Sequence, residues 1–308
     1  MQSVFASLIP VFLVIATGWL ARATGFIDEK HWLGLEKITY LVFFPALVID
    51  TLAWADLAAV PVLGVGGALM GAILLMSALL LLLRPFLQRT LKLDGPSFTS
   101  VFQGATRWNT FVAIAVAGSL FGERGVALMA VAIAAMVPLL NVLAIYVFMR
   151  FAEGPKQSIG QITRTFVTNP FIWSCAIGLG LNLIAPSSVE PMASFIDIIG
   201  RAALPAGLLV VGAGLNVRSL ARPNAAHGLS LALKLFAMPV MAVALARAFD
   251  VDGPDVAIAT IASSVPTASA SYLLAKQLGG NAPLMAEILT LQTLAALGTM
   301  PLVMVLLG

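Results

Sequence analysis

The chain has 308 residues, 60% of them hydrophobic and only 10% charged, with a net charge of +3 and a mean hydropathy of +1.01. Soluble domains carry about 25% charged residues, so a soluble domain is excluded. So small an excess of cations, confined to short segments between apolar runs, speaks for orientation in a bilayer and against a nucleic-acid partner.

Windows of about 20 apolar residues, the length a helix needs to cross a bilayer, predict ten spans in an all-α polytopic membrane protein: Val4–Ala21, Leu35–Trp54, Val60–Leu83, Ser97–Phe121, Gly125–Phe148, Val167–Ile184, Ile196–Leu215, Ala226–Phe249, Val256–Leu278 and Ala282–Leu307. The opening stretch MQSVFASLIPVFLVIATGWLAR has no basic leader and no clear small-residue cleavage site, and is read as a retained first span. Cys175 is the single cysteine, which excludes an intramolecular disulfide. Lys and Arg fall mostly on one side of the spans. Arg22, Lys30, Lys37, Arg84, Arg89, Lys92, Arg150, Lys156, Arg164, Arg218, Arg222 and Lys276 follow odd spans, and only Arg124 and Arg247 lie opposite. The positive-inside rule then puts both termini outside the cytoplasm, in a multi-pass protein of the cell membrane.

The two halves share punctuation. Pro10 and Pro170, Gly18 and Gly178, and Pro45 and Pro205 are each 160 positions apart, and an offset of 156 lays Asn109–Thr110 over Val265–Pro266. Residues 1–150 and 151–308 are therefore read as two repeats of five spans. Because five is odd, the second enters the membrane from the opposite face, and the repeat is inverted. Inverted repeats are a transporter architecture with a midplane site formed by discontinuous helices.

Two spans carry the interruptions that such a site needs. In the fourth, Arg107, Asn109 and Thr110 break an apolar run, with Arg107 roughly 15 Å deep at 1.5 Å per residue. In the ninth, Pro266 removes a backbone donor and disfavours helix at Val265, among the small hydroxyls of Thr267 and Ser269. If both helices are broken, new helix N-termini near 109–111 and 267–269 expose N–H groups that attract an anion, and Arg107 adds a fork suited to a carboxylate. The plainer alternatives stay open. Pro266 can be a simple kink and its hydroxyls mere packing; Arg107 can neutralise a buried acid or face a water-filled vestibule.

Among the other intramembrane charges, Asp197 and Arg201 are four apart on one helix face and read as a structural ion pair. Lys234 has no acid at helical spacing; its partner would be Glu287 or Asp50, or else it serves the transport path. His31 and His227 fall in cytoplasmic loops, and no metal role is expected of them. Asn141 and Asn182 read as packing polar residues. A phosphate loop, an HExxH pair and a Cys/His cluster are all missing from the sequence, so neither ATP drive, nor a metal, nor another cofactor is expected. No nucleophile and base pair up within the spans, so an enzyme is not expected.

Several stretches carry a family likeness: LVFFPALVIDTLA, RWNTFVAIAVAGSLFGERG, NPFIWSCAIGLGLNL, ALPAGLLVVGAGL and SSVPTASASYLLAKQLGG. In this order and spacing the chain resembles the auxin efflux carrier family, in its bacterial branch of malonate and organic-acid carriers, within the bile-acid/arsenite-type transporter superfamily. The resemblance implies a scaffold of spans one, two, six and seven, which joins two copies into a homodimer, and a transport domain of spans three to five and eight to ten. It also implies that the fourth and ninth spans cross at the midplane and that access alternates by an elevator-like movement. In plant members the first crossing reads Pro-Asn-Thr; here Trp108 stands at the proline position before Asn109 and Thr110. The function expected is secondary transport of a small organic anion, with Arg107, Asn109, Thr110, Pro266, Thr267 and Ser269 at the substrate. The rival is an anion channel or a membrane sensor that binds a ligand without moving it.

Overall fold

The computed structural model describes residues 2–55, 62–154, 160, 164, 167–184, 190–217, 220 and 224–308. Val60, Lys156, Arg218 and Arg222, used above for a span boundary and for orientation, lie outside them. Among the described residues the protein is helical, without a strand. Helix α1 (Gln2–Ala23) is followed by α2 (Glu29–Ile38) and α3 (Phe44–Ala53), which are joined through one π-helical turn, Thr39–Phe43. Then come α4 (Val62–Thr90), α5 (Gly95–Thr106) and the long α6 (Thr110–Phe151). The second half contains α7 (Pro170–Ile184), α8 (Glu190–Arg201) and α9 (Ala203–Ala213). After them α10 (Ala225–Ala232) runs through a π turn, Leu233–Ala237, into α11 (Met238–Ala248). The chain closes with α12 (Pro254–Ser264), α13 (Ala270–Leu278) and α14 (Ala282–Leu307).

Seven helical stretches among the described residues are long and apolar enough to cross a bilayer: Ala6–Ala23, Glu29–Ala53, Gly64–Thr90, Gly95–Phe151, Pro191–Ala213, Ala225–Ala248 and Ala282–Leu307. The sequence windows predict more segments than this, and the two counts differ at three places. Gly95–Phe151 is a single stretch of 57 residues, whereas a bilayer needs about 20. Inside it Gly122 has φ 59° and ψ −145°, a backbone state open to glycine but costly to other residues, so the helical path turns there. Pro170–Ile184 has only 15 residues. The ninth predicted span is divided into α12 and α13, of 11 and 9 residues.

Both π turns have the same cause. Pro45 and Pro239 each stand two residues beyond one, and in a regular helix a proline ring collides with the carbonyl four residues back and leaves it without a donor. The Phe44 N–H reaches back to the Thr39 carbonyl and the Met238 N–H to that of Leu233. Each bond spans five residues instead of four, and the widened turn makes room for the ring.

Helix α1 packs on α9, and α3 packs on α7 and α8. Backbones meet directly in the first of these contacts: a Cβ on Gly18 would strike the Leu209 carbonyl, and one on Gly212 the Ile15 carbonyl. Lipid is as apolar as leucine, so helices in a bilayer associate by such close packing rather than by hydrophobic drive. A second set of contacts joins α4 to α11, α11 to α12, α12 to α14, and α5 to α6 and α14. Phe98, Phe102, Ile114, Met129 and Met285 fill its interior, while Leu82, Leu183 and Ile198 stay exposed on outer faces.

Candidate functional site

The helix that begins at Gly95 is capped by Asp94, whose carboxylate accepts from the Ser97 N–H at 2.8 Å. It stops at Thr106. Arg107 is extended at φ −76° and ψ 160°, and helix resumes at Thr110 after Asn109 at φ −85° and ψ 103°. No proline forces this interruption. Asn109 holds it: its Oδ1 accepts from the Val112 N–H at 3.2 Å as the N-cap of α6, and its own N–H donates to the Pro266 carbonyl at 2.7 Å. Capping by asparagine is worth about 1 kcal/mol over alanine.

The second interruption follows α12. Val265, extended at φ −65° and ψ 153°, precedes Pro266 as the steric rule for pre-proline residues requires. Helix resumes at Ala270, so the two gaps face each other and share the bond from Asn109 to Pro266. Two glutamines secure them. Gln292 of α14, fully buried, accepts from the Thr267 N–H at 3.0 Å and donates to the carbonyls of Gly104 and Ser230 at 3.0 and 3.1 Å. Gln103 of α5 donates to the Ser271 carbonyl at 3.3 Å, and the Gln103 carbonyl accepts from the Thr267 hydroxyl at 3.1 Å. An unpaired backbone group at this depth costs several kcal/mol, so these side chains replace the ladder that the two gaps remove.

Beside the gaps lies a cavity of about 500 Å³. Its wall takes Arg107, Trp108, Asn109 and Thr110 from the first gap, Ser269 and Ala270 from the second, Tyr40 from the π turn and Asn141 from α6; Asn169 and Phe171 add a further side. Lys37 and Gln277 line it too. Four lining residues hold buried polar atoms without a described partner: Oγ1 of Thr39, Nε of Arg107, Nε1 of Trp108 and Oγ of Ser269. The two nitrogens are donors only. Among the described residues the Arg107 side chain makes one hydrogen bond, a long one of 3.4 Å from Nη1 to Oδ1 of Asn141. The N–H groups of Thr110 and Phe111, at the start of α6, make no described backbone bond, whereas that of Val112 is capped. Beside the gaps the unpaired nitrogens are thus donors, while Glu36 adds a carboxylate elsewhere on the wall.

The structure separates the expected site residues into two groups. Arg107, Asn109, Thr110 and Ser269 line the cavity; Pro266 and Thr267 are not among its lining residues and serve the gap itself. Thr267 is fully buried, and both its N–H and its hydroxyl are spent on glutamines, so the N–H groups exposed at the second gap begin at Ala268 and not at Thr267. Lys234 does not line the cavity either. Of the partners proposed for it, Glu287 bonds His227 instead, at 2.8 Å, and no ion pair joins Lys234 to Asp50 among the described residues. His227 is not in a loop: it is buried in the first turn of α10, where its Nδ1 accepts from the Asn224 N–H at 3.0 Å and completes a capping box. Asp197 and Arg201 pair at 2.7 Å on α8. Asn182 packs as its type suggests, donating to the carbonyls of Ala53 and Ala55. Asn141, assigned to packing from the sequence, stands on the cavity wall.

Gln103, Gln292, Tyr40 and Asn169 went unnoticed in the sequence. For the two glutamines a signal existed: a lone amide in the runs SFTSVFQGAT and EILTLQTLAAL is a polar group at membrane depth, which needs a partner. Nothing comparable marks Tyr40 or Asn169.

A membrane chain, helical in its described residues, with a polar cavity beside two interrupted helices has the features of a membrane protein that handles solutes. A family model described as "Membrane transport protein" matches residues 3–304. The chain belongs to that family, which takes in the auxin efflux carriers and consists of transporters rather than enzymes. It is 22% identical to an "Uncharacterized transporter" of Methanothermobacter thermautotrophicus over 96% of both chains. It is also 31% identical to a "Putative malonate transporter" of Rhizobium meliloti, over 42% of each chain.

Proposed function

We propose that the protein is a secondary carrier for a small organic anion, with malonate and related short carboxylates as its substrates. The observation that carries this is the set of unpartnered donors on the cavity wall. Each buried polar group left unpaired costs about 1–3 kcal/mol, and Arg107 Nε and Trp108 Nε1 can be satisfied only by an acceptor. A carboxylate supplies acceptors and a compensating charge together, and the free N–H groups of Thr110 and Phe111 at the start of α6 add the positive end of a helix. In this reading Arg107, Asn109, Thr110 and Ser269 touch the substrate, while Pro266 and Thr267 keep the ninth span open behind it.

The same reading takes the chain as ten spans in two inverted five-helix repeats, residues 1–150 and 151–308, with the fourth and ninth spans crossing where Asn109 meets Pro266. The glycine-tight packing of α1 on α9, with α3, α7 and α8 beside them, supports a scaffold of spans one, two, six and seven, through which two copies would pair. The mutual packing of α4, α5, α6, α11, α12 and α14 supports a transport domain that moves against it in an elevator fashion. With both termini outside the cell membrane, Lys37 and Gln277 belong to the cytoplasmic side of the cavity wall. Outward movement of such an anion then gains about 2.3 kcal/mol per charge per 100 mV of inside-negative potential, so export needs no further drive.

Counterflow of labelled malonate in proteoliposomes tests this. A carrier gives saturable exchange against unlabelled malonate; a flux that never saturates indicates a channel, and binding without flux a sensor. Either of these last two results refutes the proposal.

A further inference from the structure

Lys234 stands in the π turn between α10 and α11 with 1% of its surface exposed. An ammonium group has three donors. The described contacts satisfy one of them, through the Ser263 carbonyl at 3.2 Å. The elements packed on this turn are α5, α10, α11, α12 and α14, and their ionisable groups are engaged elsewhere. His227 of α10 and Glu287 of α14 bond each other at 2.8 Å. Asp255, at the far end of α12, bonds Arg124 at 3.0 Å, and Arg247 of α11 donates to the Leu307 carbonyl at 3.1 Å. Arg107 closes α5 at the cavity. Burying a charge without a counter-charge is expensive, so its retention at this depth asks for a reason.

What Lys234 does touch is the C-terminal end of a half-helix. Helix α12 stops at Ser264, and the carbonyls of its last turn have no following helical N–H to accept, which leaves that end partly negative. Its own groups relieve this only in part: the Ile261 carbonyl accepts from the Val265 N–H and the Ser264 hydroxyl, and the Ser263 hydroxyl donates back to Ala259 and Thr260, which leaves the Ser263 carbonyl to Lys234. The other interrupted helix ends in the same way, with Arg107 as the C-cap residue of α5. Each first half therefore finishes beside a cation, one supplied by its own chain terminus and the other by a neighbouring helix. In carriers built on broken helices, such carbonyl ends coordinate the coupling sodium ion or proton.

We propose that the Lys234 ammonium is a built-in substitute for a coupling cation at the end of α12, so that carboxylate transport by this protein requires no sodium. The proposal rests on the carrier reading above. Lys234 acts as a positioning residue: it fixes the end of α12, and two residues beyond Ser264 the Pro266 carbonyl holds the Asn109 N–H at 2.7 Å, next to the anion site.

The test is labelled-malonate counterflow by reconstituted protein in choline and in sodium media. The wild type exchanges at the same rate in both. Lys234→Ala, which leaves space for a small cation, slows exchange in choline by about tenfold, a factor within what a charge at a helix end is worth, and sodium or methylammonium restores it. Lys234→Met fills the space without a charge, slows exchange equally and is not restored. A wild type that needs sodium, a Lys234→Ala protein at full rate in choline, or a loss that neither cation repairs would each overturn the proposal. So would failure of both variants to fold, because a neutral replacement of similar volume for a buried ion leaves no unpaired charge. If the wild type exchanges no malonate in either medium, the carrier reading falls and this one with it; each of the other results removes this one alone.

Discussion

Asn109 performs two tasks that substitution can separate. Its side chain caps α6 through the 3.2 Å bond from the Val112 N–H, and in the proposed complex its amide donates to the substrate. Replacing it with alanine removes both, at about 1 kcal/mol of stability for the cap and about 1.5–3 kcal/mol of binding for a hydrogen bond to a charged group. The second figure corresponds to roughly a 10- to 150-fold loss of affinity. Asn109→Asp is the sharper perturbation, because aspartate caps as well as asparagine but sets a negative charge against the guest. At a separation of about 4 Å and an effective dielectric constant near 20, that repulsion is about 4 kcal/mol, roughly a thousandfold loss of affinity. The assay is a thermal shift with malonate, since a ligand that prefers the native state raises the melting point, run beside counterflow. Asn109→Asp should remain folded without malonate, show no shift with it, and exchange none. A variant that keeps both the malonate shift and the exchange would refute the assignment of the carboxylate to this end of α6.

Arg107→Lys keeps the charge but loses the planar fork, and the apparent affinity for malonate in counterflow should weaken by about tenfold; unchanged affinity would mean that the guanidinium does not face the substrate. Gln292→Leu strands the Thr267 N–H and the Gly104 carbonyl and leaves the Ser230 carbonyl with only the Leu233 N–H. At about 1–3 kcal/mol for each unpaired group, it should lower the denaturation midpoint more than any cavity-wall substitution, and a loss below about 1 kcal/mol would contradict the role given to this residue. Gly212→Val drives a side chain into the Ile15 carbonyl and should destabilise by about 1–3 kcal/mol, as overpacking does; purified variant with wild-type stability would disprove the close approach of α1 and α9. The pair of Arg124 with Asp255 has one partner about half exposed, at 53% against 12%, so a double-mutant cycle should report only about 0.2–1 kcal/mol. A larger coupling would give that pair a role beyond the surface.

Apolar run length made the membrane class legible, and Pro266 with its serines marked one gap correctly in position, because a missing donor and a pre-proline clash are local effects written into the residue itself. The first gap is marked only by Arg107, Asn109 and Thr110 in an apolar run, with no residue whose backbone forces a break. It exists because Asn109 finds the Pro266 carbonyl, a partner 157 positions away, and only the folded chain brings them together. The same distance explains the fate of Lys234. Helical spacing offered no acid, and Glu287 looked free until α10 placed His227 against it. The division of the site residues was hidden for a third reason. Thr267 and Ser269 are equivalent small hydroxyls in sequence, but one turns toward the glutamines and the other toward the cavity. The π turns were hidden too, although each follows from a proline that the sequence displays, since a proline can equally be absorbed by a kink.

The most direct test of the account is a structure of the wild-type protein determined with malonate. A carboxylate placed within hydrogen-bonding reach, about 2.7–3.2 Å, of the Arg107 guanidinium and the Thr110 N–H is the predicted result. Malonate bound away from both helix interruptions, or a cavity that stays free of it at concentrations that saturate transport, would contradict the account.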